Sequence, residues 1–181
     1  MLFRSVVNVS IGPDRLLLTG PSSIMSGICT SYTVVSSDPS ELPANMAFDT
    51  AIQLTGKASG AFFSDNTCST ALTGDQVTIL AGSSNASFYY KNDVAEEITL
   101  NADDADTLTP ANKNIAIGPD RLILSGPSGI KSGTCSAALT ITTKDTANNT
   151  AAVLQATTLT LSGAGSGTFY SDAACSTPLA S

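Results

Sequence analysis

Four cysteines are the residues of this chain best suited to covalent chemistry, and they fall into two pairs. Cys29 and Cys68 are 39 residues apart, and Cys135 and Cys175 are 40 residues apart. An even count at repeated spacing indicates one disulfide within each pair, which is worth on the order of 4 kcal/mol by loop-closure entropy. Four free buried thiols are the alternative; a zinc site would lack both histidine and C-x-x-C spacing. Paired cysteines favour an oxidising compartment: extracellular, at the cell surface, or secreted.

The sequence around these cysteines occurs twice. Gly12–Cys29 and Gly118–Cys135 are identical at 13 of 18 positions with an offset of 106 residues. A second block, 62–68, resembles 169–175 with an offset of 107. One residue has been inserted between the blocks, as a loop tolerates. Self-similarity at a fixed period indicates a tandem repeat of one folding unit.

The candidate motifs for nucleophilic catalysis and phosphate binding are not supported by a comparison of the two copies. The chain has no histidine, so Ser-His-Asp and Cys-His triads are impossible. Ser128 and Lys131 match the S-x-x-K motif of penicillin-binding enzymes, but that motif needs a helix, and the first copy has Met25 in place of the lysine. The glycine-rich run 163–167 precedes a strand rather than a helix, which favours a turn over a phosphate loop. We expect no catalytic residues and no enzymatic activity.

Three carboxylates cluster where the first copy ends. Asp103, Asp104 and Asp106 lie within four residues of one another, and hard cations such as Ca²⁺ take several oxygen ligands. They are a weak calcium candidate that would stiffen the connection between repeats. A solvated acidic linker is the simpler interpretation. No other metal or cofactor is expected.

Strand-like runs recur between turn signals through the first copy, and several alternate apolar and polar residues. They are Val6–Ile11, Arg15–Thr19, Ile28–Ser36, Thr50–Thr55, Ala61–Ser64, Val77–Ala81, Ala86–Lys91 and Glu97–Asn101. In the second copy, 138–142 and 158–161 alternate in the same way, and Ala81–Asn85 is expected to be a hairpin loop. No helical period is present. The sequence therefore predicts an all-β fold of tandem immunoglobulin-like antiparallel β-sandwiches.

The predicted boundaries are a complete repeat over 1–104, a linker over 105–110 and a second repeat over 111–181. The second repeat lacks counterparts of Gln76–Ala102, and hence its C-terminal strands. Missing strands leave sheet edges and an apolar face unpaired. The chain is then either a fragment of a longer array or a subunit completed by strands from another chain, as in donor-strand complementation.

Composition excludes some classes of partner. The net charge is −7, with eight Lys and Arg scattered singly, so no basic stripe offers a surface for nucleic acid or anionic membranes. No apolar run is long enough to cross a bilayer, so no membrane insertion is expected in this segment.

Two segments resemble bacterial immunoglobulin-like repeats of invasin- and intimin-type surface adhesins. In the second copy, "GPSGIKSGTCSAALTITTKDTANN" contains a strand ending in an Asp-x-x-x-Asn loop, Asp145 to Asn149. In the first copy, "ASFYYKNDVAEEITLNA" looks like the closing hairpin of such repeats. The resemblance implies a rod of stacked domains.

The expected function is thus a non-catalytic structural repeat of an extracellular bacterial adhesin, stalk or surface filament. Its partners would be neighbouring repeats or identical subunits, with a possible host or surface ligand. The alternative is a carbohydrate- or protein-binding immunoglobulin-like module accessory to a larger surface protein or enzyme. For that role the aromatic candidates are Tyr32, Tyr89, Tyr90 and Tyr170.

Overall fold

The structure, a computed structural model, describes residues 12–179, which form an all-β protein with one short 3-10 turn at Thr73–Asp75. The strands are β1 (Arg15–Thr19), β2 (Ser23–Met25), β3 (Thr30–Ser37), β4 (Thr50–Thr55), β5 (Ala61–Phe63), β6 (Gln76–Ile79), β7 (Asn85–Lys91), β8 (Glu97–Asp103), β9 (Ala111–Gly118), β10 (Arg121–Ser125) and β11 (Thr140–Lys144). The predicted strand Val6–Ile11 lies outside the described residues. None of the described helical residues forms a segment long and apolar enough to span a membrane.

The first nine strands form two packed sheets, an immunoglobulin-like sandwich that we call the first sandwich. One sheet has the order β1-β3-β7-β5 and the other β2-β9-β8-β4-β6. All pairings between these strands are antiparallel except that of β2 with β9. The predicted fold class is therefore confirmed for residues 14–118.

Alternation explains which side chains fill the space between the sheets. In β3, Tyr32 and Val34 are buried, and in β8, Ile98 and Leu100 are buried, while their neighbours along each strand are more exposed. The centre of the core is an aromatic cluster whose ring centroids are 5.5 to 6.5 Å apart. Its members are Tyr32, Phe62, Phe88 and Tyr90.

β9 corrects the predicted boundaries. The sequence repeat places this strand at the start of the second copy, yet it pairs with β8 over six residues and with β2 over three. Its Ile115 and Ile117 are 1% and 3% exposed in the core of the first sandwich. Residues 105–110, predicted to be a linker, connect β8 to β9 within the same sheet. The folding unit therefore extends to Gly118 because burial of these two isoleucines requires β8 beside them.

Two connections that were predicted to be hairpins pass from one sheet to the other instead. β6 pairs with β4, and β7 pairs with β3 and β5, so Ala81–Asn85 carries the chain from one sheet to the other. The segment from β7 to β8, which resembles a closing hairpin, also crosses. In both cases the two consecutive strands lie in opposite sheets and face each other across the core instead of pairing edge to edge.

The second half, residues 119–179, repeats part of the first sandwich. β10 pairs with β11 as β1 pairs with β3: Arg121 is opposite Lys144, and Arg15 is opposite Ser37. Loop hydrogen bonds recur at an offset of 107, including Ala44 N–H to Ser36 O and Ala151 N–H to Thr143 O. The predicted strand at 158–161 is absent. Its counterpart β4 is held between β6 and β8, and the described residues include no counterpart of either neighbour.

Candidate functional site

Both predicted disulfides are present, Cys29–Cys68 and Cys135–Cys175. Cys68 lies in a tight turn with φ of 51°, and Cys175 has φ of 50° in the equivalent turn. Each turn is held by an aspartate three residues before the cysteine. These bridges tie the start of β3, and its counterpart in the second half, to the turn. Disulfides are stable in oxidising compartments.

The two turn aspartates have similar environments. The Thr67 hydroxyl and the N–H groups of Ser69 and Thr70 donate to Asp65, and these hydrogen bonds hold the pKa of Asp65 well below its ordinary value. Donation from the N–H groups of Ser176 and Thr177 lowers the pKa of Asp172 to about 2. Charge-assisted hydrogen bonds of this kind stabilise the ionised carboxylate.

The second half contacts the first sandwich through the loop that follows β11. Asp145, the first residue of this loop, is 1% exposed. Its Oδ2 accepts a hydrogen bond from the backbone N–H of Ala95 at 3.0 Å, and its Oδ1 accepts one from the N–H of Asn149 at 2.7 Å. A buried carboxylate is tolerated when its oxygens are satisfied in this way.

The electrostatics of Asp145 favour its ionised form. Burial raises the pKa of this carboxyl, but the hydrogen bonds from Ala95 and Asn149 and the nearby Arg121 outweigh burial and hold the pKa below its ordinary value. Arg121 Nη2 also donates to the Asp145 carbonyl oxygen at 2.6 Å and to the Thr146 carbonyl oxygen at 3.1 Å. The guanidinium therefore fixes the loop from the side of β10.

Further hydrogen bonds connect the loop to the first sandwich, including one between the hydroxyl groups of Thr146 and Ser26 at 3.2 Å. The Thr146 N–H donates to Oγ of Ser26 at 3.0 Å, and the Ala147 N–H donates to the Asp93 carbonyl oxygen at 3.0 Å. Ser26 is 1% exposed, so its side of the contact is buried, whereas Asp93 and Ala147 are exposed. We call this contact the joint. It comprises Ser26, Asp93 and Ala95 of the first sandwich and Asp145, Thr146 and Ala147 of the second half.

The first sandwich contains the same loop in a different setting. Asp38 follows β3 as Asp145 follows β11, and its Oδ1 accepts from the N–H of Leu42 at 3.0 Å. Asp38 is partly exposed, whereas Asp145 is buried. The recurrence of this aspartate 107 residues later is visible in the sequence, but the burial of only one of the two copies is not.

An apolar surface is the second notable feature of the second half. Leu124, Leu139 and Ile141 are 60%, 42% and 37% exposed. They border a cavity of about 710 Å³ that the disulfide Cys135–Cys175 and Phe169 also line. Contiguous exposed apolar surface of this kind marks interaction sites in soluble proteins. Sequence reasoning anticipated an unpaired face but not which residues line it.

The remaining predicted sites are dispersed. Asp103 and Asp104 accept hydrogen bonds from backbone N–H groups of their own turn, for example from Ala105 at 2.9 Å and Leu108 at 3.2 Å. Among residues 12–179, no group of three or more acidic, cysteine or histidine side chains is arranged to hold a metal ion. Calcium binding that includes Asp106 stays a prediction.

The other candidate motifs lie in irregular segments or in the core. Ser128 and Lys131 are in an exposed segment that is neither helix nor strand. The run 163–167 forms a turn in which the Gly167 N–H donates to the Ala164 carbonyl oxygen at 2.9 Å. Tyr32 and Tyr90 are buried at 1% and 0% exposure, so the four tyrosines do not form a surface platform.

Comparison with known proteins gives structural likenesses only. No family model matches the chain, and no curated protein matches it. Among solved structures, it is similar to the CARDB domain of a Pyrococcus furiosus protein in complex with di-metal ions, at 14% identity and a TM-score of 0.37, covering 65% of this chain and 99% of that one. It is also similar to the PKD domain of an M14-like peptidase from a Thermoplasmatales archaeon, at 15% identity and a TM-score of 0.35, covering 60% and 98%.

Proposed function

We propose that this chain is a non-catalytic structural repeat of an extracellular bacterial adhesin, stalk or surface filament. Its repeats would be of the invasin and intimin type and arranged in tandem. The joint is the observation that supports this function most directly. Where flexible linkers let domains move independently, this chain has part-buried hydrogen bonds between Asp145 and Ala95 and between Thr146 and Ser26.

A stalk needs a fixed angle between successive units. We infer that the joint supplies this, because the hydrogen bonds at Asp145 and Ser26 are part-buried, where they are stronger than at a fully exposed surface. It uses backbone groups and one carboxylate. The stiffness therefore does not require the calcium site proposed at Asp103, Asp104 and Asp106.

The disulfides support a location outside the cell, because disulfides persist in oxidising compartments. Each bridge closes a separate loop, of 39 or 40 residues, which resists unfolding of an isolated repeat. The chain carries no histidine for acid–base or triad chemistry. Both facts suit a load-bearing surface element better than an enzyme.

The rigidity of the joint is testable by ¹⁵N relaxation of the whole chain. We expect backbone amides of β7 and β11 to report one rotational correlation time in the unaltered protein. Asp145→Asn should shorten the correlation time of β11 relative to β7. The matched control Asp38→Asn alters the equivalent loop outside the joint and should leave both values equal. Different correlation times for β7 and β11 in the unaltered protein would refute a rigid connection between the two parts.

Location and ligand binding separate this function from the alternative of a binding module. Antibodies against the first sandwich should label intact cells of the source organism without permeabilisation. Labelling only after permeabilisation would contradict a surface role. Tight retention of a single glycan on an array, abolished by a surface substitution such as Tyr89→Ala, would instead favour a carbohydrate-binding module.

A further inference from the structure

The loop after β3 and the loop after β11 have the same backbone conformation; we call them loop A (38–42) and loop B (145–149). In each, the N–H of the aspartate donates to the carbonyl oxygen of the fifth residue, at 2.9 Å in loop A and 3.0 Å in loop B. The fourth residue has a positive φ in both, 62° at Glu41 and 71° at Asn148. The two loops can therefore be compared residue by residue.

Loops A and B differ at the residue that follows the aspartate, which is Pro39 in loop A and Thr146 in loop B. In the joint, the Thr146 N–H donates to Ser26 Oγ at 3.0 Å. Proline has no N–H, so a loop with proline at this position leaves Ser26 Oγ without its donor. Ser26 is 1% exposed when the parts are docked, and a buried polar group that loses its partner is destabilising.

Gly27, the neighbour of Ser26, leaves room for the side chain of Thr146. A Cβ at Gly27 would lie 2.4 Å from Thr146 Oγ1, which is too close for two non-bonded atoms. The corresponding glycine of the second half, Gly133, has nothing within 4 Å of such a Cβ. Ser26 and Gly27 thus form a recess that receives a small residue with a free N–H.

The next residue of each loop also uses its N–H differently. The Ala147 N–H donates to the Asp93 carbonyl oxygen at 3.0 Å, across the joint. The Ser40 N–H instead donates to Asp38 Oδ1 at 2.9 Å, within loop A. Loop A therefore lacks one of the donors that loop B offers to the first sandwich and uses the other internally.

We propose that the recess of Ser26 and Gly27 selects which repeat docks on the first sandwich, with Thr146 as the residue that determines the selection. The recess accepts an aspartate loop whose next residue carries an N–H, and it rejects an aspartate loop with proline there. This inference rests on the proposed function and names the partner that the joint takes. A repeat that carries loop A does not replace the second half in the joint, although the two loops fold alike.

The test compares Thr146→Pro with Thr146→Ala in the whole chain, by amide exchange at Ala95. The Ala95 N–H donates to Asp145 across the joint at 3.0 Å, so its protection reports docking. Because alanine keeps the N–H that proline lacks, we expect Thr146→Pro to accelerate exchange by at least about tenfold and Thr146→Ala by less than about threefold. Equal acceleration by the two variants, or protection that survives Thr146→Pro, would overturn the proposal.

A loop exchange excludes distortion of loop B by proline as the cause. Asp-Pro-Ser-Glu-Leu, the sequence of loop A, already adopts this turn in the first sandwich. Placed at 145–149, it should undock the second half and give β7 and β11 different correlation times. Asp-Thr-Ser-Glu-Leu at the same place restores the N–H and should stay docked. Docking of both exchanged loops, or of neither, would overturn the selection by Thr146.

Failure of this inference is distinguishable from failure of the proposed function. Different correlation times for β7 and β11 in the unaltered chain would refute the rigid connection itself. A single correlation time that Thr146→Pro leaves unchanged would keep the rigid connection and overturn only the selection.

Discussion

The Asp145 carboxylate and the Ala95 amide, 50 residues apart in sequence, are joined by a hydrogen bond of 3.0 Å. Asp145 belongs to the second half and Ala95 to the first sandwich, so the bond exists only when the two parts are docked. In the docked state, removal of this hydrogen-bond donor would leave a buried carboxylate that water cannot solvate, which is strongly destabilising. The pair therefore makes docking sensitive to the ionisation of one carboxyl group.

That ionisation gives the joint an acid sensitivity. The pKa of Asp145 in the docked state lies below its ordinary value of 3.8, so the charged form contributes stability above that value. This contribution is lost as pH falls through the lowered pKa. We expect the Ala95 amide proton shift to titrate with a midpoint below 3.8. A midpoint at or above 3.8 would contradict the role of this carboxylate.

Acid should also loosen the disulfide turn of the second half. The pKa of Asp172 is lowered to about 2, so its stabilisation is complete above the ordinary carboxyl range and disappears as pH falls toward 2. Amide exchange at Ser176 and Thr177 should accelerate in that interval. Asp172→Asn should remove the pH dependence; its persistence would show that another group is responsible.

The two disulfides should act on separate parts of the chain. Cys29→Ser with Cys68→Ser is expected to destabilise the first sandwich by about 4 kcal/mol, because a loop of 39 residues is released in the unfolded state. The matched control is Cys135→Ser with Cys175→Ser, which should leave the urea midpoint of the first sandwich unchanged. Non-reducing peptide mapping checks the two pairings directly.

The aromatic cluster should dominate the core of the first sandwich. Phe88 is 0% exposed and contacts the rings of Tyr32 and Phe62. Phe88→Ala should cost about 3–5 kcal/mol of unfolding free energy by leaving a cavity. Tyr89→Ala, at the next residue on the outer face of β7, should cost less than about 1 kcal/mol. Equal effects in urea unfolding would argue against the assigned facing.

A pair of glycines separates backbone strain from crowding. Gly56 and Gly82 have φ of +79° and +78°, but a Cβ at Gly56 would lie 1.9 Å from the Thr99 carbonyl oxygen, whereas Gly82 has open space. Gly82→Ala should cost about 1 kcal/mol for the left-handed conformation alone. Gly56→Ala should cost more, since it separates β4 from β8. Equal urea midpoints for the two variants would contradict this.

The sequence predicted much of the first sandwich because its strands carry local signals. The run Arg15–Thr19 was predicted with the bounds observed for β1, and Thr50–Thr55 with those of β4. Which sheet a strand joins is not a local property, so the place of β9 and the crossing at Ala81–Asn85 were predicted wrongly. The run 158–161 alternates like a strand but lacks neighbours to pair with.

The candidate sites show the same division. The disulfides were predictable from count and spacing, since both copies carry them. The joint was not, because a buried aspartate looks like any loop aspartate until the surface that buries it is known. The Asp-x-x-x-Asn pattern at Asp145 and Asn149 is recognisable in the sequence only as part of a family resemblance. Its partner Ala95 carries no signal, as only its backbone takes part.

The parallel pairing of β2 with β9 determines how the first sandwich meets a pulling force. Tension that enters before β2 draws that strand toward its own start, and tension that leaves after Gly118 draws β9 toward its end. Parallel strands are thereby dragged past each other along their length, and the rungs Ser23–Ala116, Ile24–Ile117 and Met25–Gly118 share the load. They must yield together rather than unzip one after another.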